Sequence, residues 1–97
     1  MRLGDHDRVL VATGVHVREF EGELIILDLA RGDYFGLDEV GARMWVQLAA
    51  GRTLREVAEV LSAEYGEPVD RVLDDARHLV EALLERGLAV VAAKAQP

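Results

Sequence analysis

Few residues in this sequence combine the types and spacing that chemistry needs. The histidines are His6, His16 and His78. They fall on a polar N-terminal tail, a strand-like segment and a helix-like segment, and no two share the i, i+4 spacing of a helical metal site. Cysteine is absent, which excludes disulfides, thiolate ligands and a thiol nucleophile. Carboxylates are plentiful, among them Asp28, Asp33, Asp38, Glu39, Asp70, Asp74 and Asp75. General acid–base work needs them in a pocket that perturbs their pKa, whereas turns, caps and helix surfaces make a solvated face. Asp74, Asp75 and His78 form the one cluster from which a metal-free acid–base enzyme could be built. The hydroxyl side chains are Thr13, Thr53 and Ser62, and no nucleophile elbow, P-loop or glycine-rich dinucleotide motif accompanies them. The expectation is a protein that binds rather than catalyses, with no metal and no cofactor.

The elements that must position a binding site follow from periodicity. Val15–Phe20 alternates and reads as a strand, and Glu21-Gly22 suits a two-residue hairpin loop. Leu24–Leu27 is apolar on both faces, which predicts a central strand covered on both sides. Ala30-Arg31-Gly32 is a second turn, and Asp33–Leu37 a third strand, completing a β-meander. The period then changes. Asp38 is an N-cap, and Val40, Met44, Trp45 and Leu48 stripe a helix over 39–50 ended by Gly51. Thr53 and Glu56 form a capping box before a second helix over 54–65. Pro68 suits the first turn of a third helix, Val69 to Arg86, with Gly87 as its C-terminal stop. Val9-Leu10-Val11 fits a short strand or an extended lead-in, and Leu88–Val91 fits a short terminal strand. Residues 1–14 and 92–97 are expected as flexible ends, with fraying at Lys94–Pro97. The fold class is α+β, a three-stranded antiparallel meander followed by three helices in one domain spanning 1–97.

Bulk properties bound the partners. With 97 residues, 51% hydrophobic and 30% charged, the chain has the composition of an ordinary globular domain. No apolar run approaches a membrane span and no signal-peptide core follows the polar start, so the expected location is the cytoplasm, without a membrane partner. The net charge of −7 opposes nucleic acid. Strands followed by three helices also describe a winged helix-turn-helix, an architecture that often binds DNA. Here helix three sets Arg71, Arg77 and Arg86 against Asp70, Asp74, Asp75, Glu81 and Glu85, and its acidic balance argues against that reading.

Helix three is the most informative segment. Val72, Ala76, Leu79 and Leu83 make one stripe, and Leu73, Val80 and Leu84 a second. Either the helix is buried on two sides, or one stripe borders an open apolar groove, and the residues leave both readings open. Trp45 reads as core. Alternation sends Tyr34 and Gly36 to the face opposite Phe35 and Leu37, so Tyr34 is expected as an exposed aromatic.

The stretch Leu24-Ile-Ile-Leu-Asp-Leu-Ala-Arg-Gly-Asp-Tyr-Phe-Gly-Leu37, continuing Asp38-Glu-Val-Gly-Ala-Arg-Met-Trp45, resembles the PqqD family. The later Asp74-Asp75 and Leu83-Leu84-Glu85-Arg86-Gly87-Leu88 add to the likeness, which spans about residues 15–91. Asp38 stands where the family more often has Asn, a mild change because both cap helices. The resemblance implies a winged-helix RiPP recognition element, a non-catalytic module that binds the leader of a ribosomally made precursor peptide as an added strand. It implies partners of two kinds: the leader itself, and a modifying enzyme such as a leader peptidase, a cyclase or a radical SAM enzyme. The lasso-peptide type of stand-alone member is favoured, with PqqD proper as the alternative. A domain cut from a larger synthetase is a further rival, against which the Met1 start and short tail argue.

On this reading the leader pairs with Asp33, Tyr34, Phe35 and Gly36. Tyr34 and helix three line the groove, Val72, Ala76, Leu79 and Leu83 form its floor, and Asp75 makes a polar contact. The acidic surplus favours leaders that carry some Lys or Arg.

Overall fold

The structure, a computed structural model, describes residues 3–92. The element order is β1 (Val9–Val11), β2 (Val15–Phe20), β3 (Glu23–Asp28), β4 (Asp33–Leu37), α1 (Glu39–Ala49), α2 (Leu54–Tyr65), α3 (Val69–Glu85) and β5 (Ala89–Val91). The expected fraying at Lys94–Pro97 lies outside the described residues.

Strands β2, β3 and β4 form the antiparallel meander, in that spatial order. Its first turn works because Glu21 and Gly22 both take positive φ, 51° and 87°, the twist that a two-residue hairpin loop needs. Gly32 turns the chain into β4 with φ 72°. Leu24 and Ile26 point into the core, whereas Ile25 and Leu27 on the other face are only half-buried. The expected double covering of β3 is therefore corrected: β3 is central in the sheet, but helices pack on one face only. What hides Ile25 and Leu27 in part is the cross-strand neighbours, Arg18 and Gly36 for Ile25, His16 and Tyr34 for Leu27.

Each helix begins and ends as its sequence dictates. Asp38 accepts from the Gly41 N–H at 2.8 Å. Thr53 accepts from the Glu56 N–H at 3.1 Å while Glu56 accepts from the Thr53 N–H at 2.8 Å, the reciprocal capping box. That second bond holds the Glu56 carboxyl below the ordinary glutamate range, because the backbone donor favours the ionised form. Pro68 is the N-cap of α3, one place before its first turn, and supplies no side-chain cap.

One feature was not foreseen as a unit. The first and last strands pair antiparallel, Val9 with Val91 and Val11 with Ala89, as a separate two-stranded sheet. The N-terminal segment also satisfies α2: the Leu54 and Arg55 N–H groups donate to the Asp7 and Asp5 carbonyls at 3.1 and 2.7 Å. Asp5 reaches Arg77 on α3 at 3.0 Å. One core joins all layers, with Ile26, Leu54, Val57, Leu61, Val80, Leu83 and Leu88 its largest fully buried side chains. Trp45 is in that core, as expected. Among the described residues no helix is long and apolar enough to cross a membrane.

Candidate functional site

Among the described residues β3 is the only strand paired with β4, so the other side of β4 is a strand edge with no strand on it, although Arg86 occupies its Tyr34 carbonyl. Such an edge presents unpaired N–H and C=O groups in a fixed row. It faces a depression of about 420 Å³ lined by Phe35, Gly36 and Leu37 of β4, Asp38, Val40, Gly41 and Met44 at the start of α1, and Asp75 and Leu79 of α3. A second depression of about 260 Å³ adjoins it through the shared residues Val40, Met44 and Asp75, and extends past Val72 to Arg71, Glu67 and Tyr65. A third, about 420 Å³, continues along β4 in the other direction through Asp33 and Tyr34 to Arg86. The first and third make a groove along the edge of β4 beside α3, and the second continues it away from that edge among α1, α2 and α3.

The sequence produces this shape locally. Gly41 lets the first turn of α1 lie close on the end of β4: a Cβ there would sit 3.3 Å from Asp38 Oδ1 and 3.4 Å from Leu37 Cδ2. At the other end Arg86 fastens α3 to β4. Its Nη1 donates to the Tyr34 carbonyl at 3.3 Å and its guanidinium lies 5.2 Å from the centre of the Phe35 ring, a cation–π contact. Arg31 Nη1 in turn donates to the Arg86 carbonyl at 2.9 Å.

The candidate residues separate into four groups. Asp33, Phe35, Gly36, Asp75 and Leu79 line the groove. Val72 borders it although it is largely buried. Ala76 and Leu83 do not form its floor: at 0% and 1% exposure they face the core, and Leu83 lies behind β1 with Trp45 and Leu48. The stripe drawn through Val72, Ala76, Leu79 and Leu83 is wide, and the helix turns its Ala76–Leu83 side inward and its Asp75–Leu79 side outward. Tyr34 is 68% exposed and lines only the depression at the Asp33 end, not the one that reaches α3 at Asp75 and Leu79.

Sequence reasoning did not select Val40, Met44, Gly41, Arg71 or Arg86 for the groove. Val40 and Met44 lay on a stripe read as core, which is right for buried Met44, whereas Val40 is exposed. The Asp74–Asp75–His78 cluster does not assemble. Asp74 pairs with Arg77 at 3.9 Å, and Asp75 turns to the groove without a hydrogen-bond or ion-pair partner among the described residues.

A strand edge beside a helical wall, on a meander followed by three helices, makes a winged-helix-like module with a groove along its last meander strand. The chain belongs to the PqqD family: the family model, coenzyme PQQ synthesis protein D, matches residues 23–89. Among curated proteins, none matches the sequence. Two solved structures are similar. One is TbiB1 in complex with the TbiA(beta) leader peptide, 31% identical with a TM-score of 0.76, covering 89% of this chain and 98% of that one. The other is lasso peptide synthetase B1 complexed with the leader peptide, 25% identical with a TM-score of 0.80, covering 86% of this chain and 98% of that one.

Proposed function

We propose that this protein is a non-catalytic adaptor of ribosomal peptide biosynthesis, which binds a precursor's leader segment as a strand added to β4. The observation that carries the proposal is the β4 edge with no strand on it, facing a groove, in a chain similar to two proteins solved with leader peptides. The leader would be handed to a lasso-type leader peptidase and cyclase, in the cytoplasm where precursors are made. The second reading, presentation of the PQQ precursor to a radical SAM enzyme, draws on the description of the matching family.

Magnitudes decide what such binding requires. Ordering a disordered leader costs roughly 2–5 kcal/mol. Backbone bonds along a five-residue edge return about 1 kcal/mol each, which does little more than balance that cost. They also read no sequence. Affinity and selectivity must come from alternate leader side chains entering the groove, where each buried apolar anchor contributes about 1.5–3 kcal/mol. Phe35, Val40 and Leu79 are the apolar surface available to them. No step requires a cofactor. The domain acts by raising the local concentration of precursor beside the enzyme.

The test is titration with the leader of a precursor encoded beside this gene, followed by amide hydrogen exchange. Slowed exchange along β4 is expected on saturation. Protection confined to other elements, with β4 unchanged, would overturn strand addition.

A further inference from the structure

The two ends of the groove differ in charge: one is acidic, and the other offers a guanidinium beside a carboxylate that is already paired. At the Leu37 end the lining groups are Asp38, Glu67, Asp75 and Arg71, three carboxylates against one guanidinium. Asp38 is occupied as the α1 cap, and Glu67 lies 3.7 Å from Arg71. Asp75 remains uncommitted among the described residues and borders both depressions there. At the Asp33 end the balance differs. Asp33 and Arg86 line it, one of each sign, and Asp33 is already paired with Arg31, which lies 3.9 Å away outside the lining. Arg86 spends one N–H on the Tyr34 carbonyl and the face of its plane on Phe35. A guanidinium has five N–H donors, so most of its capacity is left for a ligand.

Resting on the adaptor reading, we infer that Asp75 and Arg86 set the direction and register of the bound leader by recognising a basic and an acidic side chain spaced four residues apart. The spacing follows from the strand. Residues directly opposite one another in an antiparallel pair point to the same face. Leu37 and Asp33 lie on the helix-facing side of β4, four residues apart. A leader residue opposite Leu37 would therefore face Asp75, the residue two further on would enter the apolar stretch by Phe35 and Leu79, and the residue four further on would meet Arg86. All pairs in this sheet are antiparallel, and continuing that pattern puts the leader's N-terminal side at the Leu37 end. The order along the leader is then Lys or Arg first, an apolar residue at the centre, and Asp or Glu last. A strand entering backwards would bring acid to Asp75 and base to Arg86, so like charges reject it.

The experiment is selection of randomised twelve-residue displayed peptides on the intact protein, in parallel with D75K and R86E. The wild-type pool should be enriched for base, apolar and acid at positions i, i+2 and i+4. D75K should select acid at position i and R86E base at position i+4, each with the apolar centre unchanged. A synthetic peptide from the wild-type pool should lose about fivefold or more in affinity when its two charges are exchanged, and less at high salt. R86Q, which keeps a helix-compatible polar side chain, should lose the preference for acid even if R86E folds poorly. Pools that share an apolar anchor but no charge pattern would overturn this inference and leave strand addition standing. Failure to enrich any peptide that protects β4 amides would overturn both.

Discussion

Among the described residues there are two small sheets with open strand edges, and they differ in the space beside those edges. The β1–β5 pair has three residues per strand and exposes Leu10, Val11 and Val90. Behind it Trp45, Leu48 and Leu83 fill the space so closely that the depression there holds about 10 Å³. The β4 edge is five residues long and fronts two depressions of about 420 Å³ each. An unpaired backbone is therefore not enough for a site. Side chains on alternate positions of an added strand need somewhere to go, and α3 leaves that room beside β4 while the core takes it beside β1.

Five substitutions test this contrast. Ala76→Glu should have the largest effect, because Ala76 is fully enclosed. A carboxylate there has no water and no built partner, so a loss of more than about 4 kcal/mol is expected, enough to unfold a domain of this size. Denaturant unfolding of the variant would show it. Survival of a native-like Ala76→Glu protein would mean that the wall of α3 is looser than the packing implies. Leu79→Asp lies one turn away but on the groove side, half-buried. It should keep the fold and weaken leader binding by about 2 kcal/mol, near thirtyfold, in titration calorimetry. Equal affinity for the two proteins would move the site off α3.

The sealed side should respond in stability alone. Thr53→Ala removes the capping box on α2 and should cost about 1 kcal/mol without changing affinity. Glu56 shares that cap, and its carboxyl titrates below the ordinary glutamate range. Its contribution is present above the unfolded-state pKa and fades as the pH falls through the lower folded-state value. Glu56→Gln should accordingly flatten the loss of stability on acidification, as read from melting temperatures across that range. Leu10→Lys, on the exposed β1, should change neither stability by more than about 0.5 kcal/mol nor leader affinity. A large loss of affinity from Leu10→Lys would mean that the β1–β5 side also meets the peptide.

Much of the architecture was legible because short-range rules and the core agreed. The spans Val15–Phe20 and Asp33–Leu37 match β2 and β4, and the helix limits differ by at most one residue at any end. The site was harder to read. Ala76, Leu79 and Leu83 share an apolar stripe, and a helix pattern says only that a stripe is covered, not by what. Arg86 looked like one more helix-surface charge, since its contacts, Tyr34 and Phe35, stand 52 and 51 positions away in the chain. The pairing of β1 with β5 was missed for the same reason, as it joins the two ends of the domain.

By itself, then, the amino-acid order determined where each strand and helix starts, which turns carry glycine, and that the third helix carries more acids than bases. These are consequences of contacts within a few residues. Only the tertiary structure decided which unpaired edge has a groove beside it, which side of α3 meets the core, and that Asp75 and Arg86 stand at opposite ends of that groove. Those outcomes depend on distant segments competing for the same surfaces, and no local pattern records who wins.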